Sequence, residues 1–157
     1  MDIVYIETSV ISHATARPSS DPTTLALQQQ AKRWLAEQRP LFEVVTSQLV
    51  IDEASLGDPD AARRRLAALD GIPVLPANPD VNSLADEIIK RHMMPSNARI
   101  DALHVATAAL AGVQYLLTQT CTHIANATEL PGIYKLLNEF GLSGMLVCAP
   151  IEFFGGT

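Results

Sequence analysis

The chain has 157 residues, 48% of them apolar and 18% charged, and its net charge is −6. That size and composition fit a single domain, residues 1–157, with a sizeable core, and exclude two domains or a disordered chain. The acidic balance argues against a wide basic surface of the kind that holds duplex DNA nonspecifically, though a metal-bearing site and a few local arginines can still engage a phosphate backbone.

No basic and apolar leader precedes the first apolar run, so secretion is not expected. The two cysteines, Cys121 and Cys148, are too few for a disulfide framework and lack zinc-site spacing. They read as reduced packing thiols, and the expected location is cytoplasmic. The longest apolar stretch, ALHVATAALAGVQYLL, is interrupted by His104, Thr107, Gly112 and Gln114 and is too short to span a bilayer.

The first element is a strand, Ile3-Val4-Tyr5-Ile6, apolar enough to be buried on both faces as in a parallel sheet. It ends on Glu7, Thr8 and Ser9, at the carboxyl end of a strand, where open α/β sheets bind ligands. Glu7 is therefore either an ordinary acid at a strand exit or part of a site. Asp21 with Pro22 starts a helix that runs to about Gln38, and residues 41–46, LFEVVT, form a second strand. Ser47 caps the next helix, ended by Gly57; Asp58-Pro59 starts another, ended by Gly71. The short run IPVL is a third strand, and Asn78-Pro79 opens a helix to about Met93.

Ser96 or Asn97 opens a helix through Ala111 that is small and apolar on every face, hence buried. VQYLLT is a fourth strand, a helix spans about Leu130 to Phe140, and MLVCA is the last strand. Strands alternating with helices predict a three-layer α/β/α fold around a mostly parallel sheet of about five strands.

Several chemistries of such sheets are missing their motifs. Neither G-x-G-x-x-G nor G-x-x-x-x-G-K-[ST] is present, and no G-x-S-x-G elbow occurs. An aspartyl-nucleophile phosphatase would need a second acid where Ser9 stands. What remains is a set of acids. Glu53 lies about two turns into its helix, beside Asp52, and neighbouring helical positions point about 100° apart, so only one of the two faces a given cleft. Asp101 is near the start of the buried helix, where it is either a dipole-favoured acid or a paired or metal-bound one. His104 is one turn further along the same face, as a satisfied core group or a ligand.

ETS after the first strand, SQLVIDEAS, IDALHVATAALAGVQYLLT and TCTHIANA resemble, in order and spacing, the PIN-domain family, and in particular its VapC-like ribonuclease branch. The resemblance runs from about residue 3 to about residue 150. It implies a ribonuclease whose acids Glu7, Glu53 and Asp101 bind Mg²⁺ or Mn²⁺ at the sheet's carboxyl edge, with Ser9 supporting the first acid. Hard divalent cations favour such carboxylate clusters on general grounds. The resemblance also implies an RNA substrate, a homodimer and a cognate antitoxin of a type II toxin-antitoxin pair, with no membrane partner.

Two positions depart from the family pattern. Glu7 replaces the usual Asp, adding one methylene of reach. Thr120 stands where the family carries Asp or Asn, and a hydroxyl there orients water but brings no charge. His123 and Asn126, in the same loop, either contact phosphate or cap the loop. Arg99, two residues from Asp101, is the one cation placed for a site role. The alternative reading is a catalytically impaired PIN-like module that binds RNA or protein; Thr120 favours it, while Glu7, Glu53 and Asp101 favour the enzyme.

Overall fold

The computed structural model describes residues 1–91, 94–120 and 124–155. Four of the apolar runs become strands: β1 Ile3–Ile6, β2 Glu43–Val45, β3 Tyr115–Leu117 and β4 Leu146–Cys148. All pair in parallel, in the order β2-β1-β3-β4. Every carboxyl end therefore lies on one edge of the sheet, with β1 in a central position. The helices are α1 Thr8–Thr15, α2 Pro22–Arg33, α3 Gln48–Ala54, α4 Pro59–Leu69, α5 Val81–Lys90, α6 Arg99–Leu110 and α7 Leu130–Glu139. α5 packs on α6, and α1 packs on α2, α3 and α4, giving the three-layer α/β/α arrangement that the alternation of elements predicts.

The fifth strand is reduced to one bridge. Thr46 pairs with Val74 alone, through Thr46 N–H to Pro73 O at 2.9 Å and Leu75 N–H to Thr46 O at 2.8 Å. Pro73 has no N–H to donate to the preceding rung and Ser47 leaves the strand to cap a helix, so the ladder does not lengthen, and proline is at home on such an edge. The sheet has four strands where the sequence predicts about five.

Helix starts follow their caps. The carboxylate of Asp21 accepts from Thr24 N–H at 2.9 Å, that of Asp58 from Ala61 N–H at 3.0 Å, and Ser47 Oγ from Val50 N–H at 3.3 Å. Gly57, with φ of 84°, follows α3 in the left-handed region that only glycine adopts cheaply. The helical run after Pro22 does reach Gln38, but its last turn, Trp34–Gln38, is π-helical, with Arg39 N–H bonding Trp34 O. α5 begins at Val81, because Asn78 Oδ1 accepts from Asp80 N–H at 2.9 Å and shapes the entry, and it ends at Lys90. The predicted end at Met93 lies outside the described residues. α1 has no counterpart among the predicted elements: TSVISHAT is β-branched and hydroxylic, and packing of Val10 and Ile11 overrides that weak helix propensity.

At the amino end of the sheet, Trp34, Phe42, Tyr115 and Phe153 form an aromatic cluster with ring centroids 5.5 to 6.1 Å apart. Cys148 is a free, buried thiol pushed up to about 12 by burial and by the nearby Glu152 charge, so it packs and does not react. Cys121 lies outside the described residues. No described helix is long and apolar enough to cross a membrane.

Leu116 in central β3 is fully buried, whereas Val74 on the one-residue bridge is 45% exposed. Leu116→Ala is expected to lower the free energy of urea unfolding by about 2–5 kcal/mol and Val74→Ala by about 0.5 kcal/mol or less. Equal losses would mean that residues 72–75 pair as a full strand in solution.

Candidate active site

Consecutive strand ends build one cleft. The Glu7 backbone N–H donates to Leu117 O at 3.0 Å, extending the β1–β3 ladder by one residue and locking the main chain where β1 stops. The Glu7 side chain is only 4% exposed. Its Oε1 accepts from Thr118 Oγ1 at 2.7 Å and from Ser9 Oγ. Each hydroxyl is aimed by a backbone amide: Gln119 N–H donates to Ser9 Oγ at 2.8 Å, and Thr120 N–H donates to Thr118 Oγ1 at 3.0 Å. Both oxygens thus have their proton left for the carboxyl group of Glu7.

The second acid arrives from β2. Ser47 caps α3, and Glu53 occupies its last turn. Glu53 Oε1 accepts from Thr8 Oγ1 at 2.6 Å and lies 2.5 Å from His104 Nε2. His104 comes from α6 and is wholly buried; its Nδ1 is 2.8 Å from Tyr5 Oη, which is 2.7 Å from Ser47 Oγ. One ligand atom each from Glu7, Glu53 and His104 lie within 4.8 Å of one another, the one such group of metal-ligating side chains among the described residues.

Burial pushes the Glu53 carboxyl up, but hydrogen bonds from His104 and Thr8 hold the group below its ordinary value. Burial, supplemented by the charges of Glu7 and Glu53, pushes the Tyr5 hydroxyl well above its usual range, so Tyr5 keeps its proton.

The donor set fits a hard divalent cation. Glu7 and Glu53 are each anchored through Oε1 by side-chain donors, and among the described residues no hydrogen bond occupies either Oε2. Two fixed carboxylates, each with one oxygen to offer, are what such cations prefer.

Asp101 lies in the first turn of α6, three residues before His104 and half-buried, and is not in the group that closes within 4.8 Å. Arg99 is turned to α5, where it pairs with Asp86 and donates to Asn82 Oδ1 at 3.2 Å. Thr120 contributes its backbone N–H to Thr118, and its carbonyl accepts from Ala125 N–H at 2.9 Å. Asn126 Oδ1 accepts from Thr128 N–H at 3.0 Å and Thr128 Oγ1 at 2.6 Å, a loop cap. His123 lies outside the described residues.

Thr8, Thr118 and Tyr5 are not among the residues that the sequence points to, and Ser47 stands out there only as a helix cap. A signal for Thr118 does exist. It ends its apolar run as Glu7 ends β1, and with Ile6 opposite Leu117 in a parallel pair the next residues of both strands must be neighbours.

With its pKa depressed in the folded protein, Glu53 contributes stability that is fully present above its unfolded value of about 4.5 and is lost as pH falls through the lower folded value. In metal-free protein, unfolding free energy should therefore decline less steeply below pH 4.5 in Glu53→Gln than in the wild type. Urea titrations at a series of pH values decide this, and parallel curves would remove the coupling to His104 and Thr8.

The model of the PIN domain family matches residues 4–119, a span that includes Glu7, Glu53, His104 and Thr118. No curated protein and no solved structure matches the chain. The fold, a parallel sheet with acids gathered at its carboxyl edge, agrees with that match, and PIN domains are typically metal-dependent nucleases. The chain belongs to the PIN domain family.

Proposed function

We propose that this protein is a metal-dependent ribonuclease that hydrolyses RNA phosphodiester bonds, in one domain spanning residues 1–157, and that it acts in the cytoplasm as the VapC-like toxin of a type II toxin-antitoxin pair. The observation that carries the nuclease reading is the convergence of Glu7 and Glu53, from separate elements, each held through one oxygen and, among the described residues, with no hydrogen bond on the other. The toxin reading rests on the order and spacing of ETS, SQLVIDEAS, IDALHVATAALAG and TCTHIANA, which also supports a homodimer and an antitoxin that covers the cleft.

In this reading Glu7, Glu53 and Asp101 hold Mg²⁺ or Mn²⁺. A divalent cation bound by such acids lowers the pKa of a coordinated water and offsets charge on the phosphate. Ser9 and Thr118 keep the Glu7 carboxyl group in one rotamer, and Thr8 does the same for Glu53. Without positive charge among them, these acids would repel a phosphate backbone, which is the electrostatic reason for a cation there.

A second reading, a PIN-like module that binds RNA or protein without turnover, is favoured by Thr120. Its contribution to the site is a backbone N–H on Thr118, with no charge of its own.

The test is cleavage of a mixed single-stranded RNA pool by purified protein with Mg²⁺, with Mn²⁺ and with chelator, for the wild type and for Glu7→Gln, Glu53→Gln and Asp101→Asn. Cutting is expected only with metal. Each substitution should reduce it by about a hundredfold or more, beyond the 10–100-fold typical of residues that only support ligands. Folded protein that cuts under no condition, or cuts equally well in chelator, would overturn the nuclease reading, and the first result would favour the binding module.

A further inference from the structure

His104 is the wholly buried member of the acid-histidine group, and both its ring nitrogens are engaged. The proton positions along its hydrogen-bond chain follow from counting. Glu53 as a carboxylate only accepts, so Nε2 must carry the proton that points at it. In a neutral ring Nδ1 is then an acceptor, and Tyr5 O–H donates to it at 2.8 Å. Tyr5 Oη is free to accept from Ser47 O–H at 2.7 Å, and Ser47 Oγ accepts from Val50 N–H at 3.3 Å. Every proton in the chain has an acceptor and all run one way, from the start of α3 through β1 and α6 to the end of α3.

The opposite neutral tautomer leaves Nε2 with a lone pair facing a carboxylate oxygen at 2.5 Å. That arrangement sets two buried acceptors against each other, which costs free energy.

We propose that His104 is a positioning residue, held as the Nε2–H tautomer by the chain Val50–Ser47–Tyr5, and that it fixes the Glu53 carboxylate for the cation and is not itself a ligand. This deepens the nuclease reading above and rests on it for the identity of the ligand. Its Nε2 has no lone pair to give while it donates to Glu53. Imidazole is in any case a poorer partner than carboxylate for Mg²⁺ or Mn²⁺. The nearly edge-on contact with the Tyr5 ring, centroids 5.9 Å apart at 61°, holds the imidazole plane so that the donor direction is fixed as well as its distance.

Long-range ¹⁵N–¹H spectra of metal-free protein, with the His104 signals assigned by their loss in His104→Gln, should show the Nε2–H pattern and should keep it when Mg²⁺ is added to saturation. An Nδ1–H pattern, or loss of the Nε2 proton on adding Mg²⁺, would overturn the proposal. Mn²⁺ affinity read by electron paramagnetic resonance supplies the second arm, on variants whose fold is checked by circular dichroism. His104→Leu should bind about 10–100-fold more weakly. His104→Gln, with an amide N–H for Glu53 and a carbonyl for Tyr5, should recover most of that loss, and Tyr5→Phe should fall between. Equal losses in His104→Gln and His104→Leu would overturn the positioning role. Wild-type protein that binds no Mn²⁺ would defeat the nuclease reading and the cation part of this one, while the metal-free spectrum would still decide the tautomer.

Discussion

Two carboxyl groups share one desolvated cleft, Glu7 almost fully buried and Glu53 partly so, and most of the surrounding architecture answers that constraint. Buried acids are tolerable only when hydrogen-bonded, paired or metal-bound, and two together add mutual repulsion. A parallel sheet is suited to the problem because it delivers successive strand ends to the same edge. β1 is followed by Glu7, β3 is followed by Thr118, and β2 leads into Ser47 and the helix bearing Glu53. Backbone amides at those ends are already committed to the ladder or aimed at hydroxyls, so the hydroxyls have little freedom except to face the acids.

The two ends of the sheet divide the work. The amino end is filled by Trp34, Phe42, Tyr115 and Phe153, an aromatic cluster that joins the residue before β2 to the start of β3. The carboxyl end is polar and converges on few atoms. Three arginines are occupied elsewhere: Arg99 with Asp86, Arg91 with Glu87 and Glu139, and Arg65 on the carbonyls that end α3. In a chain of net charge −6, a cation held at the acids would supply local attraction for a polyanion.

Helix starts are legible from one sequence because a cap is a contact over three residues. Asp21, Ser47 and Asp58 each bond the amide three positions on, and nothing distant is needed to place them. The parallel sheet is legible for a related reason, since runs apolar on both faces have nowhere to go except between two helical layers. α1 is not legible: its β-branched and hydroxyl side chains carry weak preference, and the packing of Val10 and Ile11 decides it. The fifth strand shrinks to a bridge because apolar composition is visible in IPVL while the consequence of prolines at an edge depends on which neighbour the run meets.

Residue type alone draws attention to Glu7, Glu53, Asp101 and His104, because charge or imidazole amid apolar runs is costly wherever it lands. What those groups do is a tertiary matter. Thr8 meets Glu53 across 45 positions, Thr118 meets Glu7 across 111, and Tyr5 meets His104 across 99. A hydroxyl has no preferred partner until the fold supplies one, so Thr8 and Tyr5 give no sign in the sequence of the partners they take in the cleft. The sequence by itself determined the layers, the helix starts and the presence of costly acids, all of which follow from local hydrogen bonds and hydrophobic pattern. Only the tertiary structure decided which oxygen of each acid is held and which, among the described residues, carries no hydrogen bond, because these depend on distances between strands that the chain visits far apart.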